Sequence, residues 1–267
     1  MIDNHSIAET EGQLSFDHAV IVVPSLETAI ENFTTLGFQV QRGGANGPTH
    51  NALIYFSDGT YIELITPIHR SARIVFRTLH LAGLLGLLAR RQPGVMARFV
   101  HWFGAPAGLR DWCIRCASLD KTVENFRALG LKTSDAMKFS RKRPDGQVAK
   151  WRLAGPLDTS LPFLIEDTSP TQIRVPFEDN CNHPNGVTGV SALVLSGAAQ
   201  AATVQSLQQL FPDTAAPDST CTIGTVEIRS LTGNNTPTEL TLELSSSGEV
   251  KGLLARDKTF GTQIVLV

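Results

Sequence analysis

The chain has 267 residues and a formal net charge of −2, long enough for a full core in one or two closely packed domains. That near-neutral balance gives no global attraction to nucleic acid, and 42% apolar against 18% charged residues excludes a disordered chain. Residues 1–14 are polar, without a basic start or an apolar stretch, so no secretory signal is visible and a cytoplasmic location is expected.

Phe16 to Val23 is apolar and β-branched, which predicts a buried strand ended by Pro24-Ser25. Ser25 caps a helix whose inward stripe is Ala29, Ile30, Phe33 and Leu36, with Gly37 as its stop. A short strand over 38–42, a Gly-rich loop over 43–48 and strands over 51–56 and 60–65 follow, the last two joined by the hairpin signal Ser57-Asp58-Gly59. From Leu64 to Leu109 there is no Asp or Glu, but Arg70, Arg73, Arg77, Arg90, Arg91 and Arg98 occur with Phe76, Phe99, Trp102 and Phe103. This predicts a helical insert over the strands, its apolar run 79–89 too short to span a bilayer. A docking helix with a solvated basic rim, a cationic lid over an anionic substrate and a membrane-surface contact are its three readings, the membrane contact the least favoured.

Next come a strand over 112–117, a helix over 119–129 and strands over 150–154 and 161–166, with a hairpin at Arg143-Pro144-Asp145-Gly146. Cys113 and Cys116, three apart in the first of these strands, point to opposite faces and read as buried reduced thiols; four cysteines are too few for a disulfide scaffold. A Pro- and Asn-rich linker leads to a strand over 187–195, a helix over 198–211 and strands near 221–231, 239–245 and 262–267.

The pattern repeats. Setting Ser25-Leu26 on Ser118-Leu119 aligns Glu31-Asn32-Phe33 with Glu124-Asn125-Phe126 and Leu36-Gly37 with Leu129-Gly130 without a gap. Gly59-Thr60-Tyr61-Ile62-Glu63-Leu64-Ile65 is echoed by Gly261-Thr262-Gln263-Ile264-Val265-Leu266-Val267. Repeated units of this kind dock on one another to bury their apolar faces. The expected fold is α+β: a first βαβββ module (14–66), a basic helical insert (67–108), a second module (109–168), a linker (169–186) and a third, diverged module (187–267). In the third copy Val190 falls at the His18 position and Val265 at the Glu63 position, which leaves it structural.

Strand alternation puts His18, Val20 and Val22 on one face, and Tyr61, Glu63 and Ile65 on one face of another strand. The ungapped repeat places Asp111 at the His18 position, and matching Ile62-Glu63 to Ile165-Glu166 sets Glu166 opposite Glu63. One imidazole with three carboxylates suits Mn(II), Fe(II) or Mg(II) better than Zn(II). Without metal, such carboxylates raise one another's pKa values and act as acid and base. Each residue has a structural alternative: a satisfied core histidine for His18, a salt bridge to Arg115 or Arg152 for Glu63, a turn residue for Asp111, a solvated strand end for Glu166. Arg115 shares the parity of Asp111 and is the expected substrate anchor, unless it pairs with a cleft carboxylate. His183 is a surface loop residue or an acid-base group at the cleft rim.

Asp17-His18 before an apolar strand, Asn51-Ala52-Leu53-Ile54-Tyr55-Phe56, Tyr61-Ile62-Glu63-Leu64-Ile65 and Leu161-Pro162-Phe163-Leu164-Ile165-Glu166 resemble the glyoxalase-like domain of the vicinal oxygen chelate superfamily, over about Leu14 to Asp167. The resemblance implies paired modules curving around a cleft where a divalent metal binds oxygen-bearing substrates, with His18, Glu63, Asp111 and Glu166 at the ligand positions. The expected function is a lyase or isomerase with Glu63 or Glu166 as base, His18 as ligand or acid, and Arg115, Asn51, Tyr55 and Trp112 as substrate contacts. A non-catalytic binding or resistance protein is the alternative. A small-molecule substrate, no nucleotide cofactor, no nucleic acid and a homodimer paired through the third module complete the expectation.

Overall fold

The structure, a computed structural model, describes residues 14–46, 49–92, 94–143, 146–176, 180–197, 200–216, 220–231 and 239–267. The N-terminal stretch and two residues of the expected Arg143–Gly146 turn, Pro144 and Asp145, lie outside them.

The first module is β1 (Ser15–Val22), α1 (Leu26–Thr35), β2 (Gln41–Asn46), β3 (Thr49–Tyr55) and β4 (Tyr61–Pro67). Of the Gly-rich stretch 43–48 expected as a loop, residues 43–46 are therefore part of β2, bulged at Gly43 opposite Asn51, and Gly47 and Pro48 lie outside the described residues. The insert folds into α2 (Arg70–Leu81), α3 (Leu85–Ala89) and α4 (Met96–Gly104). The second module is β5 (Gly108–Arg115), α5 (Leu119–Ala128), β6 (Met137–Lys142), β7 (Val148–Ala154) and β8 (Phe163–Asp167). The sequence reading missed the edge strand β6. Ser25 and Ser118 accept hydrogen bonds from the backbone N–H of Thr28 and Lys121, and Gly37 and Gly130 leave both helices at φ +85. The repeat is thus visible in cap and stop alike.

These eight strands form one sheet in the order β2-β3-β4-β1-β5-β8-β7-β6, with β1 and β5 antiparallel at the centre. β1 bulges at Asp17 and β5 at Arg110, so the ungapped repeat is also the structural one: Asp17 corresponds to Arg110 and His18 to Asp111. The sheet curls until its edge strands approach, and a Cβ on Gly44 of β2 would lie 3.9 Å from Cδ of Arg141 on β6.

The expected linker contains α6 (Thr171–Arg174). Beyond it β9 (Val187–Ser196), α7 (Gln200–Leu210), β10 (Ala215–Ala216), β11 (Thr220–Ile223) and β12 (Val226–Leu231) make the third module; β13 (Glu239–Ser246), β14 (Gly252–Leu253) and β15 (Gln263–Leu266) follow. Their order, β10-β11-β12-β9-β13-β15-β14, repeats that of the first sheet, with β13 antiparallel to β9 as β5 is to β1. The C-terminal segment thus holds a third unit and the helix-free remnant of a fourth. The bulge at Ser191 matches that at Asp17, so Ala192, not Val190, stands at the His18 position, and β12 rather than β15 supplies the Glu63 counterpart, Arg229.

α1, α5 and α7 lie between the two sheets. Ala29, Phe33, Val123, Phe126, Val204 and Leu207 share one core with residues of both, and the rings of Phe126 and Phe211 stand 5.5 Å apart. Cys113 and Cys116 are buried on opposite faces as expected, and burial pushes the Cys116 thiol up to about 12. Among the described residues no helix is long and apolar enough to cross a membrane.

His183 is not at the cleft rim. Its Nδ1 accepts from the backbone N–H of Gln39 (2.9 Å) and its Nε2–H donates to the carbonyl of Tyr55 (2.8 Å), pinning the linker to the first module as a neutral imidazole. Burial lowers its pKa, against a smaller opposite pull from the Tyr55 carbonyl. The stability it adds is complete above the ordinary histidine value of 6.5 and is lost as pH falls from there towards the lowered folded value. The urea midpoint of the wild type should therefore drop between pH 7.5 and 5. His183→Gln should lower the midpoint at pH 7.5 by about 1–2 kcal/mol of stability and flatten that drop.

Candidate functional site

The concave face of the first sheet, roofed by α4, encloses a cavity of ≈ 130 Å³. Alternation along β1, β3 and β4 sends His18, Asn51, Leu53, Tyr61, Glu63 and Ile65 into it. The second module contributes Phe139, Arg141, Trp151, Leu153, Phe163 and Ile165, and α4 adds Met96, Phe99 and Trp102.

The polar end is held by a buried ion cluster. The β1 bulge lets consecutive residues Asp17 and His18 serve the same region. Arg174, from α6, spans both oxygens of Asp17 (3.0 and 2.8 Å), donates to the Tyr61 hydroxyl (2.7 Å) and grips Asp167 at 2.6 and 2.8 Å. Burial works to raise the Asp17 pKa, but Arg174 and the His18 hydrogen bond overcome it and hold the carboxyl well below its usual range. Burial likewise opposes the charge on Arg174, and Asp17, Tyr61 and Asp167 restore it. Tyr61 is pushed well above its usual value, first by burial, and keeps its proton.

An ionised Asp17 can only accept, so His18 Nδ1 donates to it at 2.7 Å, and Nε2 faces the cavity. The imidazole is stacked on Tyr61 with centroids 4.5 Å apart. Its Nε2 stands 3.6 Å from Glu63 Oε2, beyond direct hydrogen-bond length. Glu63 Oε1 accepts from Asn51 Nδ2 at 2.5 Å. Asn51 needs Gly43 beside it, since a Cβ there would sit 2.2 Å from the Asn51 Oδ1. Arg115 and Arg152 do not pair with Glu63: Arg115 reaches Ser15 (3.2 Å) and the edge of Asp17 (3.9 Å), and Arg152 binds Asp120 and Glu166.

The structure thus assembles His18, Glu63 and Asn51 and separates the other expected residues. Asp111 has the right register but is buried under the insert, where Arg98 grips both its oxygens (2.8 and 2.9 Å) and Trp102 Nε1 donates to one (2.8 Å). Glu166 lies on the helix-packed face, 3.0 Å from Arg152; strand pairing makes Phe163, not Glu166, the counterpart of Glu63. Trp112 stacks on Phe16 in the helix-side core, and Tyr55 is buried beside Tyr61 behind the cavity wall. Arg115 is outside the lining, so it does not anchor a ligand there. Sequence reasoning missed Arg174 and Arg141. Arg174 sat in a stretch read as linker, where an Arg four residues after Pro170 was the one available cue; Arg141 sat on the strand that was not recognised.

One donor atom each from Asp17, His18 and Cys113 lies within 4.8 Å of the others, a group able in principle to hold a metal ion. Arg174 already supplies the cation there, and burial, then Asp17, pushes the Cys113 thiol well above its usual value, so it is protonated. With Asp111 and Glu166 elsewhere, His18 Nε2 and Glu63 face each other as a two-donor pair. The residues present do not fit a four-ligand protein-held centre.

Two modules curled about an aromatic cavity with one polar end define the class: small-molecule sites of the vicinal oxygen chelate type. The chain belongs to that superfamily's glyoxalase-like domain family, whose sequence pattern matches residues 16–211. No curated protein matches it. A hypothetical protein from Staphylococcus aureus is similar over 95% of this chain and 99% of its own, with TM-score 0.72 at 13% identity. Looser likenesses reach the Mn(II)-bound glyoxalase from Novosphingobium aromaticivorans (TM-score 0.43, 8% identity, 87% of this chain and 65% of that one) and methylmalonyl-CoA epimerase from Mycobacterium tuberculosis (0.36, 18%, 59% and 89%).

Arg174→Met should cost about 3–5 kcal/mol in chemical denaturation, because it strands the buried Asp17 carboxylate and the partly buried Asp167. Adding Asp17→Asn should recover part of that loss; a double variant no more stable than Arg174→Met would show that the two groups do not act as a pair.

Proposed function

We propose that the chain is a small-molecule enzyme of lyase or isomerase type acting on an oxygen-bearing substrate by acid-base chemistry. The observation that carries this reading is the Glu63 carboxylate in an aromatic cavity, held by Asn51, 3.6 Å from His18 Nε2 and paired with no Lys or Arg among the described residues. Glu63 removes a proton from the carbon beside the substrate's oxygenated centre, and the electron pair left behind moves onto that oxygen. The proton returns to a neighbouring carbon in an isomerase; in a lyase the electron pair expels a leaving group instead. His18, its tautomer fixed by Asp17, takes the proton of a substrate hydroxyl at Nε2 and gives it back. No arginine among the described residues neutralises Glu63, which favours this reading over a sequestering protein with an ion-paired carboxylate.

The test is solvent deuterium exchange into phenylpyruvate and 2-hydroxyacetophenone, followed by proton NMR against the uncatalysed rate. Wild type should exceed that rate, and Glu63→Gln should fall at least about 100-fold with its circular dichroism unchanged. Equal exchange by the variant would sink the assignment of Glu63, and no acceleration by wild type would favour a binding role.

A two-donor pair holds a divalent ion weakly. Elemental analysis after dialysis against EDTA should find far less than one equivalent of Mn, Fe, Mg or Zn with exchange retained. A stoichiometric metal that survives dialysis and disappears in His18→Ala would instead make the ion part of the machinery.

A further inference from the structure

The acid-base pair occupies one region of the cavity, and another charged group in its wall has no role in that chemistry. Arg141 lies on β6 at the seam where the two sheet edges meet, two residues from Phe139 and on the same face. Its Nη2 donates to the Arg174 carbonyl at 2.9 Å, and it hydrogen-bonds the Tyr55 hydroxyl. Its Nε is sealed from solvent without a partner, and no carboxylate pairs with it among the described residues. A guanidinium in the cavity wall with no carboxylate beside it carries a charge that an anion entering the cavity can meet. Arg174, by contrast, is saturated by two carboxylates and a hydroxyl.

The walls say what else the ligand carries. Phe139 stacks with Trp151 at 6.2 Å and 12°, and Phe99 lies 4.6 Å from Trp102. Such faces favour offset or edge contact with a further ring. The cavity of ≈ 130 Å³ is close to the roughly 150 Å³ that admits one benzene ring.

We infer that the cavity takes a single-ring aromatic carboxylate, its carboxylate on Arg141 and its ring among Phe139, Trp151, Phe99 and Trp102. This deepens the acid-base reading, on which it rests only for the placement of an oxygenated carbon near Glu63. Arg141 is then a specificity-determining residue, selecting acids over neutral analogues of the same shape.

The experiment is titration of the protein with phenylacetate, phenylacetamide and butyrate, read by tryptophan fluorescence and calorimetry. Wild type should bind phenylacetate at least tenfold more tightly than either of the others. Arg141→Met should lose about ten- to a hundredfold for phenylacetate and leave phenylacetamide unchanged, and Arg141→Lys should recover part of the loss. Equal affinity for phenylacetate and phenylacetamide in wild type, or unchanged phenylacetate affinity in Arg141→Met with native circular dichroism, overturns the proposal. If the methionine variant does not fold, Arg141→Lys decides: a loss smaller than tenfold and confined to phenylacetate supports a charge contact, and a loss shared equally by phenylacetamide refutes it. Selective binding by a protein that exchanges no deuterium would leave this site standing while the acid-base reading falls.

Discussion

The site depends on one buried guanidinium. Arg174 satisfies two carboxylates at once, the buried Asp17, where a lone charge would be costly, and the partly buried Asp167. Its charge keeps Asp17 ionised, ionised Asp17 fixes the His18 tautomer, and the same guanidinium positions Tyr61, on which His18 stacks. A short helix after the second module therefore controls a histidine on the first strand, 156 residues earlier in the chain by their numbering. The tautomer and orientation of His18 are set by the folded assembly rather than by the Asp17-His18 dipeptide alone.

That dependence explains what could be read from sequence. His18, Asn51 and Glu63 were legible because strand parity and a Glu flanked by Ile62 and Leu64 are local signals. Asp111 was placed in the correct register by the repeat, yet its partners, Arg98 and Trp102, come from an insert whose docking no repeat encodes. Glu166 was misplaced because the match ignored strand pairing: Phe163 and Ile165 face the cavity, so the residue after them faces the helices. Arg141 and Arg174 lay on a short edge strand and a single helical turn, elements too brief to produce periodicity.

The two halves of the first sheet have diverged in complementary directions. The first module keeps the polar groups; the second has Phe163 at the Glu63 position, and its Asp111 is capped by the insert that also roofs the cavity. A duplicated fold with a pseudo-two-fold axis offers two equivalent half-sites, and a symmetric arrangement of four donors would present little apolar surface to a substrate. Filling one half with aromatic rings converts a chelating cleft into one that is wet at one end and dry at the other. In such a cavity a carboxylate is less screened by solvent, and a ligand is oriented by which end it prefers.

The second sheet fills the corresponding positions differently. At the positions of Asp17, His18 and Glu63 it carries Ser191, Ala192 and Arg229, and Arg229 is tied to Glu227 (3.1 Å) and Glu243 (2.6 Å) on its own concave face. Glu227 and Glu243 stand where Tyr61 and Cys113 stand in the first sheet, so the same cluster of positions is occupied by charges that satisfy one another. Its helix face, by contrast, stays largely apolar and shares its core with α1 and α5. The packing face has been kept while the concave face carries a different, mutually paired set of charges. The second sheet works as a backing that buries the helices of the first. Its links to the cavity-bearing half, Asp58 to the backbone of Val190 and Asn185 to the end of α1, anchor the β3–β4 turn and the first helix without entering the cavity.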